Sequence, residues 1–177
     1  MNLILVGYRG CGKTTVGEIL ARKMGWQFVD LDDLVARKAG KTIAEIFATE
    51  GEEGFRRRER EACEQLRKSK NQVIALGGGT LMDPEARALI KRVGKVVWLR
   101  APAAVLWSRI SKDASSAANR PNLTAEGGLP EVEKLLMQRE PIYQSAAVHI
   151  VESVTDTPEM IAEAIEMWFG ANDSEAG

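Results

Sequence analysis

Gly7-Tyr8-Arg9-Gly10-Cys11-Gly12-Lys13-Thr14 fits the pattern G-x-x-x-x-G-K-[ST], and its reading decides the fold. In this pattern glycines let the backbone curl until successive N–H groups converge on phosphate oxygens, and a helix starting at the last residues adds the partial positive charge of its N-terminus. The mechanism therefore demands a strand before the loop and a helix after it. Leu3 to Val6 is a continuous apolar run ended by glycine, as in a strand buried on both faces of a parallel sheet. From Lys13 onward Val16, Ile19, Leu20 and Met24 recur at helical spacing until Gly25, a suitable stop. A chance glycine-rich turn does not account for the coincidence of pattern, strand and helix. Lys13 is expected to reach the β and γ phosphates of a nucleotide, Thr14 to offer its hydroxyl to Mg2+, and Gly10, Cys11, Gly12 and Thr15 to complete the phosphate cradle. Gly40-Lys41-Thr42 repeats the triplet, but position 35 is Val where the first glycine belongs and no strand precedes it. There the triplet reads as a helix stop and a new start, Thr42 and Glu45 having the spacing of a capping box.

Outward from the loop, apolar runs at Gln27–Asp30, Val73–Leu76, Val96–Leu99 and Val148–Val151 read as further strands. Helical patterns lie between them: Leu31 to Ala39, a segment from Thr42, and Glu53 to Lys68. Others start after Asp83-Pro84, after Pro102, at Glu131 (to Glu140) and at Thr157-Pro158 (to about Phe169). The alternation predicts an α/β fold with a mostly parallel sheet, helices on both faces and ligands at the carboxyl ends of the strands. Residues 111–128 are polar and rich in Ser, Asn and Gly, and are expected to form a mobile lid. One domain is expected over residues 1–170, with a disordered tail at 171–177.

The composition limits the class of function. A chain of 177 residues with 45% hydrophobic content is long enough to bury one core. Twenty-four basic against twenty-five acidic residues leave a net charge of −1, so no global field draws nucleic acid or an anionic membrane, and anion recognition must be local. Cys11 and Cys63 lie in no metal-type spacing and are expected to be reduced thiols. The opening residues lack a basic region and no stretch approaches a membrane span, which points to the cytoplasm; a monomer is expected.

Four groups of residues remain as candidates for the chemistry. Asp30, Asp32 and Asp33 stand at the end of the second strand. Asp33 suits helix capping, whereas Asp30 is placed to orient Mg2+ through water and Asp32 to accept a hydrogen bond from an acceptor hydroxyl. Gly77, Gly78 and Gly79 exceed what a turn requires, which suggests close approach of a ligand to the backbone. Arg56, Arg57 and Arg58 alternate with Glu52, Glu53, Glu59, Glu61 and Glu64, so most of that helix reads as a solvated ion-pair face, with room for one arginine to point into a site. Arg120 and Arg139 are ambiguous on their own, and the single histidine, His149, reads as structural.

Taken together, GYRGCGKTT, FVDLDD, KTIAEIFATEGEEGFRRRE, LGGGT, NRPNL and QREPIY follow one another as in the shikimate kinase family, which the chain resembles from Leu3 to about Phe169. The third segment is the most specific, since a generic P-loop protein has no need of it. The resemblance implies a P-loop kinase three-layer sandwich with a five-stranded parallel sheet and a closing lid. It also implies ATP with Mg2+ as cosubstrate and shikimate as acceptor. Carried over by position, it puts Lys13 on the ATP phosphates, Thr14 on the metal, Asp30 beside the metal through water and Asp32 on the acceptor hydroxyl. Arg56 and Arg139 would clamp the acceptor carboxylate with the amides of Gly78 and Gly79. Arg120 would meet the ATP phosphates from the lid, and Arg109, with Pro158, would flank adenine. The chain departs from the family pattern at Asn122, where leucine is commoner, and in a long segment from Lys112 to Asn119. A kinase for a sugar acid such as gluconate, or for a nucleoside monophosphate, would share the ATP half of the site. A GTP switch would need N-K-x-D and D-x-x-G motifs, and neither occurs.

Overall fold

The computed structural model describes residues 1–112 and 127–173. Arg120, most of the expected lid and the last four residues lie outside them. Five strands, β1 (Leu3–Val6), β2 (Gln27–Asp30), β3 (Gln72–Ala75), β4 (Lys95–Arg100) and β5 (His149–Glu152), form one sheet in the order β2-β3-β1-β4-β5. Every neighbouring pair is parallel, with Leu3 in register with both Val73 and Lys95. The helices are α1 (Lys13–Met24), α2 (Leu31–Ala39), α3 (Ile43–Leu66), α4 (Pro84–Val93), α5 (Ala103–Lys112), α6 (Gly128–Ala146) and α7 (Pro158–Asp173).

Alternation along the strands builds the layers, because successive side chains of a strand point to opposite faces. Leu3, Leu5, Val73, Val97 and Leu99 join one core with Val16 and Leu20 of α1, Leu106 of α5 and Ile161 and Ile165 of α7. Ile4, Val6, Ile74, Val96 and Trp98 join the other with Val35 of α2, Phe55 and Ala62 of α3, Ile90 of α4 and Tyr143 of α6. Such side chains contribute roughly 1.5–3 kcal/mol each when fully buried. The central strand β1 is therefore apolar at every position.

Several boundaries differ from the sequence reading by a few residues, and four of the differences have a local reason. β3 starts one residue early because the backbone N–H of Gln72 donates to Asn2 Oδ1 (3.1 Å) and its side chain donates to Gln27 Oε1 (3.0 Å), so a polar residue is accommodated in the sheet. α3 consists of two helical segments that meet at a kink at Gly51 (φ 69°, ψ −173°), where the two segments read separately abut. α6 runs through Pro141 to Ala146 and does not stop at Glu140, because Tyr143 and Ala146 are buried against the sheet and anchor the last turn. α7 extends past Phe169 to Asp173: Lys95 Nζ donates to the carbonyl of Asn172 (2.9 Å), satisfying an otherwise orphaned group of the helix end.

Candidate active site

Gly7 turns the chain out of β1 at φ 145°, and a Cβ there would stand 2.6 Å from the carbonyl oxygen of Leu99 and 2.7 Å from Cys11 Sγ. No other residue fits that approach. The loop is closed by the Cys11 N–H donating to the Tyr8 carbonyl (3.2 Å), and its far end is held by Ser153, whose hydroxyl donates to the Cys11 carbonyl (2.8 Å). Lys13 folds back over the loop, its Nζ donating to the carbonyls of Gly7 (2.8 Å) and Tyr8 (3.1 Å). Gly12 begins α1 in the left-handed region with no capping side chain, and no acid lies in the first turn. The amides and partial positive charge of the helix start are thus left to a ligand. Thr14 and Thr15 are exposed there.

Lys13, Thr14, Asp30, Asp32, Gly77, Gly78 and Arg109 line one cavity of about 310 Å³ at the carboxyl ends of β1, β2 and β3. The two neighbouring acids have distinct duties. Asp30 caps α2, its Oδ1 accepting from the N–H groups of Asp32 (2.9 Å) and Asp33 (3.3 Å), so capping falls to Asp30 and not to Asp33. Asp32 turns back toward the third strand end. Arg109, at the C-terminal end of α5, donates to the carbonyl of Gly10 (3.4 Å), the hydroxyl of Ser153 (3.2 Å) and the carbonyl of Val154 (3.4 Å). It spans the phosphate loop and the turn before Pro158.

The triple glycine receives one candidate side chain at each position. A Cβ on Gly77 would meet Asp32 Oδ1 at 2.7 Å, one on Gly78 would meet Arg139 Nη1 at 3.3 Å, and one on Gly79 would meet Arg56 Nη2 at 2.9 Å. Asp32 from α2, Arg139 from α6 and Arg56 from α3 thus converge on three residues of backbone after β3, because only glycine leaves them room. The arrangement presents a carboxylate and two guanidinium groups beside the phosphate loop. This is the donor and acceptor set for a hydroxylated carboxylic acid.

Sequence reasoning placed Glu59 on a solvated face, and here the structure corrects it. Glu59 is 1% exposed; Arg56 Nη1 donates to its Oε2 (2.5 Å) and Thr80 Oγ1 to its Oε1 (2.7 Å). It holds Arg56 toward Gly79, and its only sequence signal was the i, i+3 spacing to Arg56. The rest of that helix behaves as read: Glu50 accepts two bonds from Arg58 (2.9 and 2.8 Å), which hold its carboxyl below the usual range, and Arg57 and Lys41 lie near it at the surface. Three further residues had been missed. Phe47 stacks on Phe55 (4.7 Å between ring centres) next to Arg56, and Tyr143 donates to the Gly78 carbonyl (2.5 Å). Tyr8 packs its ring beneath Arg139 (5.4 Å). Burial pushes the Tyr8 and Tyr143 phenols above their usual pKa. Both cysteines are free and buried, and burial pushes the Cys63 thiol up to about 12. His149 lies flat against Trp168 (4.4 Å, 4°), a packing role. Among the described residues no three His, Cys, Asp or Glu side chains are grouped to hold a metal, and no helix is long and apolar enough to cross a membrane.

A phosphate loop between the first strand and first helix of a parallel sheet, with a carboxylate and two guanidinium groups gathered on the adjacent strand end, is the arrangement of a P-loop kinase. The shikimate kinase family model matches residues 9–168. A shikimate kinase of Rhodopirellula baltica is 43% identical over 166 residues, covering 93% of this chain and 89% of that protein. The structure of a shikimate kinase from Acinetobacter baumannii in complex with shikimate superposes with a TM-score of 0.88 at 36% identity, over 97% of this chain and 93% of that one. A gluconokinase from Sinorhizobium meliloti shares the fold, with a TM-score of 0.64 at 18% identity over 99% of this chain and 94% of that one. The chain belongs to the shikimate kinase family.

Proposed function

We propose that the chain transfers the γ-phosphoryl group of ATP to the 3-hydroxyl of shikimate, giving shikimate 3-phosphate and ADP. The observation that carries this reading is the placement of Asp32, Arg139 and Arg56 on three consecutive glycines beside the phosphate loop. Arg56 and Arg139 provide guanidinium groups for the acceptor carboxylate, helped by the amides of Gly78 and Gly79, and Asp32 sits on the loop side to receive the hydroxyl. Gly10, Cys11, Gly12, Thr14 and Thr15 offer the loop and helix start to the ATP phosphates, while Arg109 faces the nucleoside end.

Phosphoryl transfer has a loose transition state, so in-line positioning and charge neutralisation matter more than a strong base. Lys13 supplies positive charge by leaving the Gly7 and Tyr8 carbonyls for the phosphates. Asp32 aligns the acceptor oxygen and takes its proton as the bond to phosphorus forms. Arg120, assigned by family resemblance, adds charge at the γ-phosphate. The residues also fit Mg2+, which prefers oxygen donors: Thr14 is exposed in the first turn of α1, and Asp30 uses only Oδ1 for its cap. When bound, Mg2+ would neutralise the β and γ phosphates, with Thr14 holding it directly and Asp30 through water.

A gluconate or nucleoside monophosphate kinase would share the ATP half of this site and would also present an anion to the arginines, so what favours shikimate over them is membership of the shikimate kinase family. ADP release measured with ATP and Mg2+ against shikimate, gluconate, quinate and AMP tests the reading. Turnover is expected with shikimate; preference for any of the others would overturn it.

A further inference from the structure

We propose that Tyr8 is a positioning residue for acceptor binding, its ring fixing the Arg139 guanidinium so that the N–H fork stays free for the acceptor carboxylate. The inference rests on the reading of Arg139 as part of the carboxylate clamp. The second residue of a phosphate loop needs only its backbone to serve the nucleotide. Here the side chain turns inward, is 1% exposed, and has a buried hydroxyl with no hydrogen-bond partner among the described residues. A buried phenol without a partner is unfavourable, so the ring itself must be what the position uses.

What the ring touches is Arg139, whose guanidinium carbon lies 5.4 Å from the ring centre, within the range of a cation–π contact. Arg139 Nη1 lies against Gly78, 3.3 Å from where a Cβ would be, and the carbonyl of that glycine is held by the Tyr143 hydroxyl. The guanidinium is therefore confined between an aromatic face, the Tyr143 hydroxyl with which it also hydrogen-bonds, and a bare stretch of backbone. A carboxylate used as the positioning partner would occupy the donor fork that the acceptor needs. An aromatic face takes none of its donors. The backbone of Tyr8 faces the other half of the site: its carbonyl accepts from Lys13 Nζ (3.1 Å) in the empty loop.

The contact corresponds to roughly three- to thirty-fold in acceptor binding. Tyr8→Leu is expected to raise the shikimate KM by such a factor while the ATP KM stays within about two-fold, and Tyr8→Phe, which keeps the ring, should restore the shikimate KM. If Tyr8 acts through Arg139, the effect of Tyr8→Leu should vanish in an Arg139→Lys background, because coupled residues are not additive. Thermal unfolding is followed alongside, and Tyr8→Met replaces the leucine variant if the latter unfolds early. An unchanged shikimate KM in the ring-deleted enzyme, or a penalty that adds in full to that of Arg139→Lys, would overturn the proposal. If Arg139→Lys alone leaves shikimate binding unchanged, it is the carboxylate clamp that fails.

Discussion

Gly79 and Arg56 are in contact across the acceptor corner: a methyl group on the Cα of Gly79 would stand 2.9 Å from Arg56 Nη2. The glycine has φ −103° and ψ −7°, a conformation open to any residue, so it is kept free of a side chain by its neighbour and not by its backbone.

Gly79→Ala is accordingly expected to be well tolerated by the fold and poorly tolerated by the acceptor site. The added methyl meets the far end of a flexible side chain, so stability should change by less than about 1 kcal/mol. Arg56 must swing away from the corner, and the shikimate Kd should rise about ten-fold or more, as for loss of a charge-assisted contact. Calorimetric titration beside thermal unfolding checks both halves. A large loss of stability with normal shikimate affinity would contradict the account.

Glu59→Ala should affect both properties. It frees Arg56 and leaves the Thr80 hydroxyl unbonded in a buried place, where an unsatisfied group costs about 1–3 kcal/mol. The upper range for a broken buried pair does not apply, since Arg56 is partly exposed and also faces Glu52 at 3.6 Å. Urea unfolding gives the stability change, and the shikimate KM should rise with it. Thr80→Val, which removes only the hydroxyl, should leave the KM nearer to wild type.

Lys13→Ala is predicted to abolish turnover while circular dichroism stays unchanged. The side chain donates to two loop carbonyls and to Cys11 Sγ (3.6 Å) and packs in no core cluster, so its loss loosens the empty loop without touching the sheet. Wild-type turnover would remove Lys13 from the mechanism.

These residues differ in how far they could be read from sequence. The phosphate loop, Asp32 and the glycine run were legible because each is local: a strand end, a turn and a helix start within a few residues. The layers were legible for the same reason, since β1 and β3 announce double-sided burial in their own side chains. Glu59 was not, because a charge is buried there by Thr80, twenty-one residues later, and by Arg56, and neither contact leaves a mark in periodicity. Asp30 and Asp33 are both plausible caps in sequence, and the choice depends on where β2 ends. Tyr8 carries a ring whose partner is more than a hundred residues away, on a helix that reads through a proline.

His149 gives a pH signature. Burial lowers its pKa below the ordinary 6.5, so the folded chain binds the proton more weakly than the unfolded one. Stability contributed by the neutral ring is complete above the unfolded pKa and is lost as pH falls from it through the lower folded value. The free energy of unfolding should therefore decline on acidification just below pH 6.5, before the carboxylates titrate. His149→Phe, which keeps a ring against Trp168, should flatten that part of the profile. An identical slope in both proteins would assign the decline to other groups.

The acceptor clamp offers the sharpest discrimination, because Arg139→Lys preserves charge and removes only the planar fork. At a surface arginine such a change costs within about 0.5 kcal/mol and affects no ligand. At a bidentate carboxylate site it is not conservative, and losing one charge-assisted bond costs about 1.5–3 kcal/mol, or roughly ten-fold to more than one-hundred-fold in shikimate affinity. Lysine would also forfeit the guanidinium contact with the Tyr8 ring, whose centre lies 5.4 Å from the guanidinium carbon. An ATP analogue should bind as before, since the phosphate loop and Lys13 hold the phosphates from the other side of Gly78. Arg56→Ala should show the same division between the two ligands, with the added consequence that Glu59 loses its cationic partner and stability falls. Calorimetric titration of both variants with shikimate, and separately with the ATP analogue, measures this division directly. Unchanged shikimate affinity in both variants would leave the glycine corner without a ligand and overturn the carboxylate clamp.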